Sequence, residues 1–116
     1  HRNSSASPNT YNGTQALVYE LGTEAARLGA SINQELVDFG FKDLDVVERP
    51  GLVVLRRTQM PAVLMELGFI NHDGDNRLFD EEFNQMVDAI VTGILDFTYS
   101  PQACRIHPGG ALPAAP

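Results

Sequence analysis

A short apolar run carrying a single charge constrains this chain more than any other feature. Pro61 fixes the backbone just before residues 62–67 (AVLMEL), and Gly68 follows them. A run of this length, apolar almost throughout, is the pattern of a parallel strand buried on both faces. Glu66 interrupts it. Burying an ionised carboxylate is expensive unless it is paired, hydrogen-bonded or close to a metal. In parallel α/β sheets, ligands bind at the carboxyl ends of the strands. Glu66 stands near such an end, and Gly68 allows close backbone approach. A structural carboxylate, satisfied by backbone amides or by an arginine such as Arg56, accounts for the same residue. The residues alone leave both readings open.

The rest of the chain supplies an α/β pattern around that run. Residues 1–13 are rich in Asn and Ser without periodicity, close with Gly13 and read as a loop. Residues 14–20 (TQALVYE) alternate and carry β-branched and aromatic side chains, which predicts a strand. Thr23 is a candidate N-cap with Glu24 in the first turn, and Leu28, Ile32 and Leu36 recur every four residues. Ala25 and Phe39 extend this stripe, so the spacing predicts an amphipathic helix that Gly40 ends. Residues 41–51 read as a connection with a short extended piece at Val46 and Val47, and residues 52–55 (LVVL) as a short buried strand or turn. Residues 71–76 (NHDGDN) read as a loop or helix start. A last helix, capped by Asp80 or a neighbour and running to about Thr98, would bury Phe83, Val87, Ile90, Ile94 and Phe97, with Met86 and Val91 beside them. Four of the seven prolines lie beyond Ser100, so residues 99–116 read as a tail or linker. The expected fold is α/β, a mostly parallel central sheet flanked by helices. Two helices on so few strands make a thin core, which suggests part of a domain.

Charge and cysteine usage narrow the function classes. Eight Lys and Arg against fifteen Asp and Glu give a net charge of −7, which argues against nucleic acid as a partner. Cys104 is the single cysteine, so neither an intrachain disulfide nor a multi-cysteine zinc site can form. No run of about 18 apolar residues marks a transmembrane segment. His72 reads as exposed in its polar loop, and His107 as part of the tail. Asp73, Asp75 and Asn76 lack the spacing of a calcium loop and read as solvated acids at a helix start. There is no Gly-rich phosphate loop and no Gly-x-Ser-x-Gly elbow.

Residues 60–71 (MPAVLMELGFIN) resemble the C-terminal signature of zinc-dependent N-acetylmuramoyl-L-alanine amidases, the bacterial and phage cell-wall hydrolases. Residues 52–56 (LVVLR) and the strand that follows Gly13 are similar to further elements of that family. His1-Arg2-Asn3-Ser4 is similar to its His-Xaa-Asn-Ala/Ser segment. The resemblance implies that Glu66 is catalytic, that His1 is a zinc ligand and that Asn3 contacts substrate. It implies a Zn2+ cofactor whose other ligands, a histidine and a glutamate, lie upstream of His1. Residues 1–98 would then be the C-terminal part of a catalytic domain whose first strands and helix are missing. The implied partner is peptidoglycan, and the implied site of action the cell wall or the extracellular space of a bacterium, with a bacterial or phage origin. The implied reaction cleaves the amide between N-acetylmuramic acid and L-alanine by zinc-assisted attack of water, and this fragment alone would be inactive. Two other readings stay open. One is a non-catalytic amidase-like module that binds wall fragments or a partner protein. The other is a glycosidase pairing Glu66 with Asp73 or Asp75, for which nothing in the sequence secures the facing geometry.

Overall fold

The structure, a computed structural model, describes residues 1–99; all but the first residue of the 99–116 tail lies outside them. The elements in chain order are β1 (Thr14–Val18), α1 (Glu24–Phe39), β2 (Asp43–Glu48), α2 (Val53–Arg56), β3 (Leu64–Leu67), α3 (Asp73–Glu81) and α4 (Phe83–Thr98). The α1 signals act as expected. Thr23 Oγ1 accepts from the Ala26 amide, and Gly40, at φ 146°, turns its N–H back to the Leu36 and Val37 carbonyls. Gly29 brings the helix onto the sheet, since a Cβ there would stand 3.1 Å from Ala16 Cβ.

The three strands lie in the order β2-β1-β3. β2 is parallel to β1, but β3 is antiparallel to it, so the sheet is mixed and not mostly parallel. The reason is the connection. From the end of β2 the chain contains a single helical turn, α2, before β3 begins opposite Leu17. It passes over one end of β1 and returns, whereas a parallel entry needs a crossover along the length of the sheet.

Other sequence expectations also change. The extended piece at Val46 and Val47 is the centre of a six-residue edge strand. Its acidic composition hides it, and Asp43 Oδ1 stabilises the irregular turn at Asp45 by accepting from the Asp45 amide and from Asn33 Nδ2. Residues 53–55 belong to α2 with Leu52 as its N-cap, and in it Leu55 is buried while Val53 and Val54 are exposed. The last helical region is two helices. His72 Nδ1 accepts from the Asp75 amide to cap α3, Asp80 lies inside α3, and α4 starts after Glu82.

The core joins Ile32, Leu36, Phe41 and Met86, with Leu28, Met65, Leu67, Leu78, Phe79 and Ile90 packed around it. α4 reaches it through Met86, Ala89, Ile90 and Gly93, so Ile90 of the expected stripe and Met86 beside it do face the core, but most of that stripe does not. Phe83, Val87, Val91 and Ile94 are all exposed. The close approach at Gly93, where a Cβ would meet Ile32 Cα at 2.6 Å, turns that side of the helix inward.

Candidate active site

The N-terminal residues extend the sheet beyond β3. The His1 ammonium donates to the Met65 carbonyl at 3.1 Å, and the His1 carbonyl accepts from the Leu67 amide at 2.9 Å. His1 therefore sits opposite Glu66 in a parallel pairing. Asn3 continues it, donating to the Gly68 carbonyl and accepting from the Ile70 amide, each at 2.8 Å. This places Asn3 opposite Phe69. Two residues on one side span three on the other, and the additional residue is absorbed near Gly68, at φ 75°.

Strand alternation then fixes the faces. Met65 and Leu67 pack on the α1–α4 core, so Glu66 projects to the opposite face. Its antiparallel partner Gln15 shares that face. Arg2 lies over the Phe79 ring on the helix side, so His1 and Asn3 project away from the helices, with Glu66. The structure thus pairs the His1 and Glu66 backbones with both residues on one face, although the strand that carries Glu66 is antiparallel to its β1 neighbour and not parallel as expected. Glu66 is half-buried, and its Oε2 is shielded from solvent with no hydrogen-bond partner among the described residues. Neither backbone amides nor Arg56 satisfy that oxygen. Asn3 is half-buried, and its side-chain oxygen accepts from the Ser4 amide.

A polar network missed in the sequence holds this corner. Asp75 is 2% exposed, not solvated. Its Oδ2 accepts from the Gly13 amide at 2.9 Å and from the Phe69 amide at 2.8 Å. Asn71 Oδ1 accepts from the Ser5 amide while its Nδ2 donates to the Ser5 carbonyl. Asn9 and Asp73 bond each other twice. The polar residues after Phe69 thereby pin the loop that follows His1-Arg2-Asn3. Burial pulls the Arg2 guanidinium below its ordinary pKa, opposed by the Asp75 and Asp80 carboxylates. Because Asp75 is committed to backbone amides, it is not a free carboxylate that could partner Glu66 in glycoside hydrolysis. His72, expected to be exposed, is half-buried as the α3 cap.

No cluster of three or more His, Cys, Asp or Glu side chains suited to a metal occurs among the described residues. His1 beside an orphaned Glu66 oxygen fits one edge of a metal centre, and no more than that. A cavity of about 430 Å³ lies elsewhere, lined by Tyr19, Leu55, Arg56 and Met60 among others. It opens beyond the C-terminal end of β1, whereas Glu66 pairs near the β1 start. No helix among the described residues is long and apolar enough to cross a membrane.

Comparison with known proteins identifies the family and the fold. A family profile described as N-acetylmuramoyl-L-alanine amidase matches residues 1–96. The chain is 40% identical over 81 residues to the uncharacterized protein YqiI of Bacillus subtilis (strain 168), covering 63% of this chain and 36% of that protein. Its structure is similar to the amidase AmiC2 of Nostoc punctiforme, with TM-score 0.74 and 29% identity over 84% of this chain and 54% of that one. It is also similar to the catalytic domain of the amidase CwlV from Bacillus (Paenibacillus) polymyxa var. colistinus, with TM-score 0.70 and 30% identity over 84% and 54%. An amidase of Clostridium difficile 630 gives TM-score 0.77 and 26% identity over 87% and 56%. The chain thus spans about half the length of these solved structures and about a third of the curated relative.

Proposed function

This chain belongs to the N-acetylmuramoyl-L-alanine amidase family, and from that premise we propose that it supplies the His1 and Glu66 side of a zinc-dependent peptidoglycan amidase site. The bond cleaved is the amide between the lactyl group of N-acetylmuramic acid and the L-alanine of the stem peptide. The observation that carries this reading is the backbone pairing of His1 with Glu66. It puts the two residues at paired positions on one face, and the shielded Glu66 Oε2 has no partner among the described residues.

His1 would hold zinc through its imidazole. We place the remaining protein ligands in the part of the amidase fold that this chain does not span. When bound, zinc supplies Lewis-acid activation of a water and of the scissile carbonyl. Glu66 moves the proton. Its free oxygen takes a proton from water as the water oxygen adds to the carbonyl carbon. It returns that proton to the amide nitrogen as the C–N bond breaks, leaving a lactyl carboxylate and the free amine of alanine. Asn3, two residues from His1 and on the same side, orients substrate through its side-chain NH2. The site of action is the cell wall or the extracellular space.

The test is digestion of purified peptidoglycan by the full-length protein, with assay of released stem peptides and bound zinc. Glu66→Gln keeps zinc and lowers turnover by about 10²- to 10⁴-fold, the range for losing a positioned acid–base group. His1→Ala loses zinc. Unchanged release by the Gln variant removes Glu66 from the mechanism. Wall binding without release by the wild-type protein supports the non-catalytic module instead.

A further inference from the structure

Arg2 lies between His1, which pairs with Glu66 of β3, and Asn3, which pairs with Phe69 beyond it, yet its own side chain points to the opposite face. Its Nε donates to the Leu67 carbonyl at 2.5 Å, and its NH2 group donates to the Phe69 carbonyl at 3.3 Å and to Asn76 Oδ1 at 3.0 Å. The guanidinium carbon stands 4.2 Å from the centre of the Phe79 ring. One planar group therefore grips the carbonyls on both sides of Gly68 and ties them to α3.

We propose that Arg2 is a positioning residue that fixes the register in which His1 faces Glu66. Its effect on zinc and turnover rests on the amidase reading of that pair, while its effect on register does not. Register matters here because the pairing is irregular. A slip of one residue would turn the His1 imidazole from the Glu66 face to the helix face. The Gly68 irregularity offers such a slip, and Arg2 closes it by holding the two carbonyls that flank the additional residue. A lysine cannot substitute. Three acceptors in a fork and an aromatic face beneath suit a planar guanidinium and not a point charge.

The experiment uses full-length protein carrying Arg2→Ala or Arg2→Lys. Native-state hydrogen exchange is followed at the Leu67 and Ile70 amides, which bond to His1 and Asn3, and at the amides of β1. Zinc affinity is measured by competition with a chromophoric chelator. Both variants are expected to exchange about tenfold or more faster at Leu67 and Ile70, with β1 unchanged. Zinc affinity falls about 10- to 100-fold, the range for residues that orient a ligand. Unchanged protection at Leu67 and Ile70 overturns the proposal, and so does equal loosening of β1, which marks a merely structural role. Full rescue by Lys also overturns it. If Arg2→Ala does not fold, Arg2→Lys carries the same measurement. A wild-type protein that neither binds zinc nor releases stem peptides refutes the amidase reading, and exchange at Leu67 and Ile70 still decides the clamp.

Discussion

Asp75 holds two buried backbone amides with one oxygen, one from Gly13 and one from Phe69. Asp75→Ala leaves both donors unpaired, and each buried orphan costs about 1–3 kcal/mol. We expect a loss of about 2–6 kcal/mol, read as a lower urea midpoint with unchanged slope. Gly68→Ala is predicted to be damaging for two reasons. The φ of 75° disfavours a side chain, and the added Cβ would stand 2.9 Å from both Asp75 Cβ and Phe41 Cε1. Glu66 was legible in the sequence because one charge in an apolar run has to be explained. Asp75 was not, because residues 71–76 are almost wholly polar and look like a solvated loop. Its partner Gly13 is 62 positions away, beyond the reach of any local pattern.

At the scale of elements, α1 was readable because its cap, stripe and stop all agreed. α4 was readable only in part, at Met86 and Ile90, because its apolar residues surround much of the helix and several registers fit nearly as well. Gly93, where an added Cβ would stand 2.6 Å from Ile32 Cα, selects the true one. Met86→Ala should therefore cost about 2–5 kcal/mol, as expected for a fully buried side chain. Val87→Ala should cost within about 0.5 kcal/mol, and equal urea midpoints for the two variants would refute this register. The same helix pair carries an acidic contact. Burial raises the Glu35 pKa, reinforced by hydrogen bonding to and repulsion from Asp96 and by repulsion from Asp38. A carboxyl with a raised folded pKa favours the fold when protonated, and that contribution is lost as pH rises through its folded pKa. Glu35→Gln should raise the thermal midpoint at pH 7 and leave it nearly unchanged at pH 4. The direction of β3 was hidden for another reason: an apolar run reveals burial on both faces, but not which way a short connection delivers the strand.

For the whole molecule, the outward face of α4 presents Phe83, Val87, Val91, Ile94 and Leu95, each at least 38% exposed. A contiguous apolar patch of this kind favours association. The 116-residue chain is expected to sediment faster as its concentration rises, and Val91→Glu with Ile94→Lys should suppress this. With a single histidine at the site and no third ligand among the described residues, the same chain should retain substoichiometric zinc after dialysis. The His1–Met65 bond joins residues 64 positions apart, and this has a consequence in time. Closing so long a loop carries an entropy cost that is recovered only when the intervening strands are already in place. The helices, built from neighbours in the chain, can form first. In refolding followed together by far-ultraviolet dichroism and a zinc-sensitive dye, the full-length protein should regain its helical signal before it can take up metal. The chemistry would then be the last thing that folding delivers.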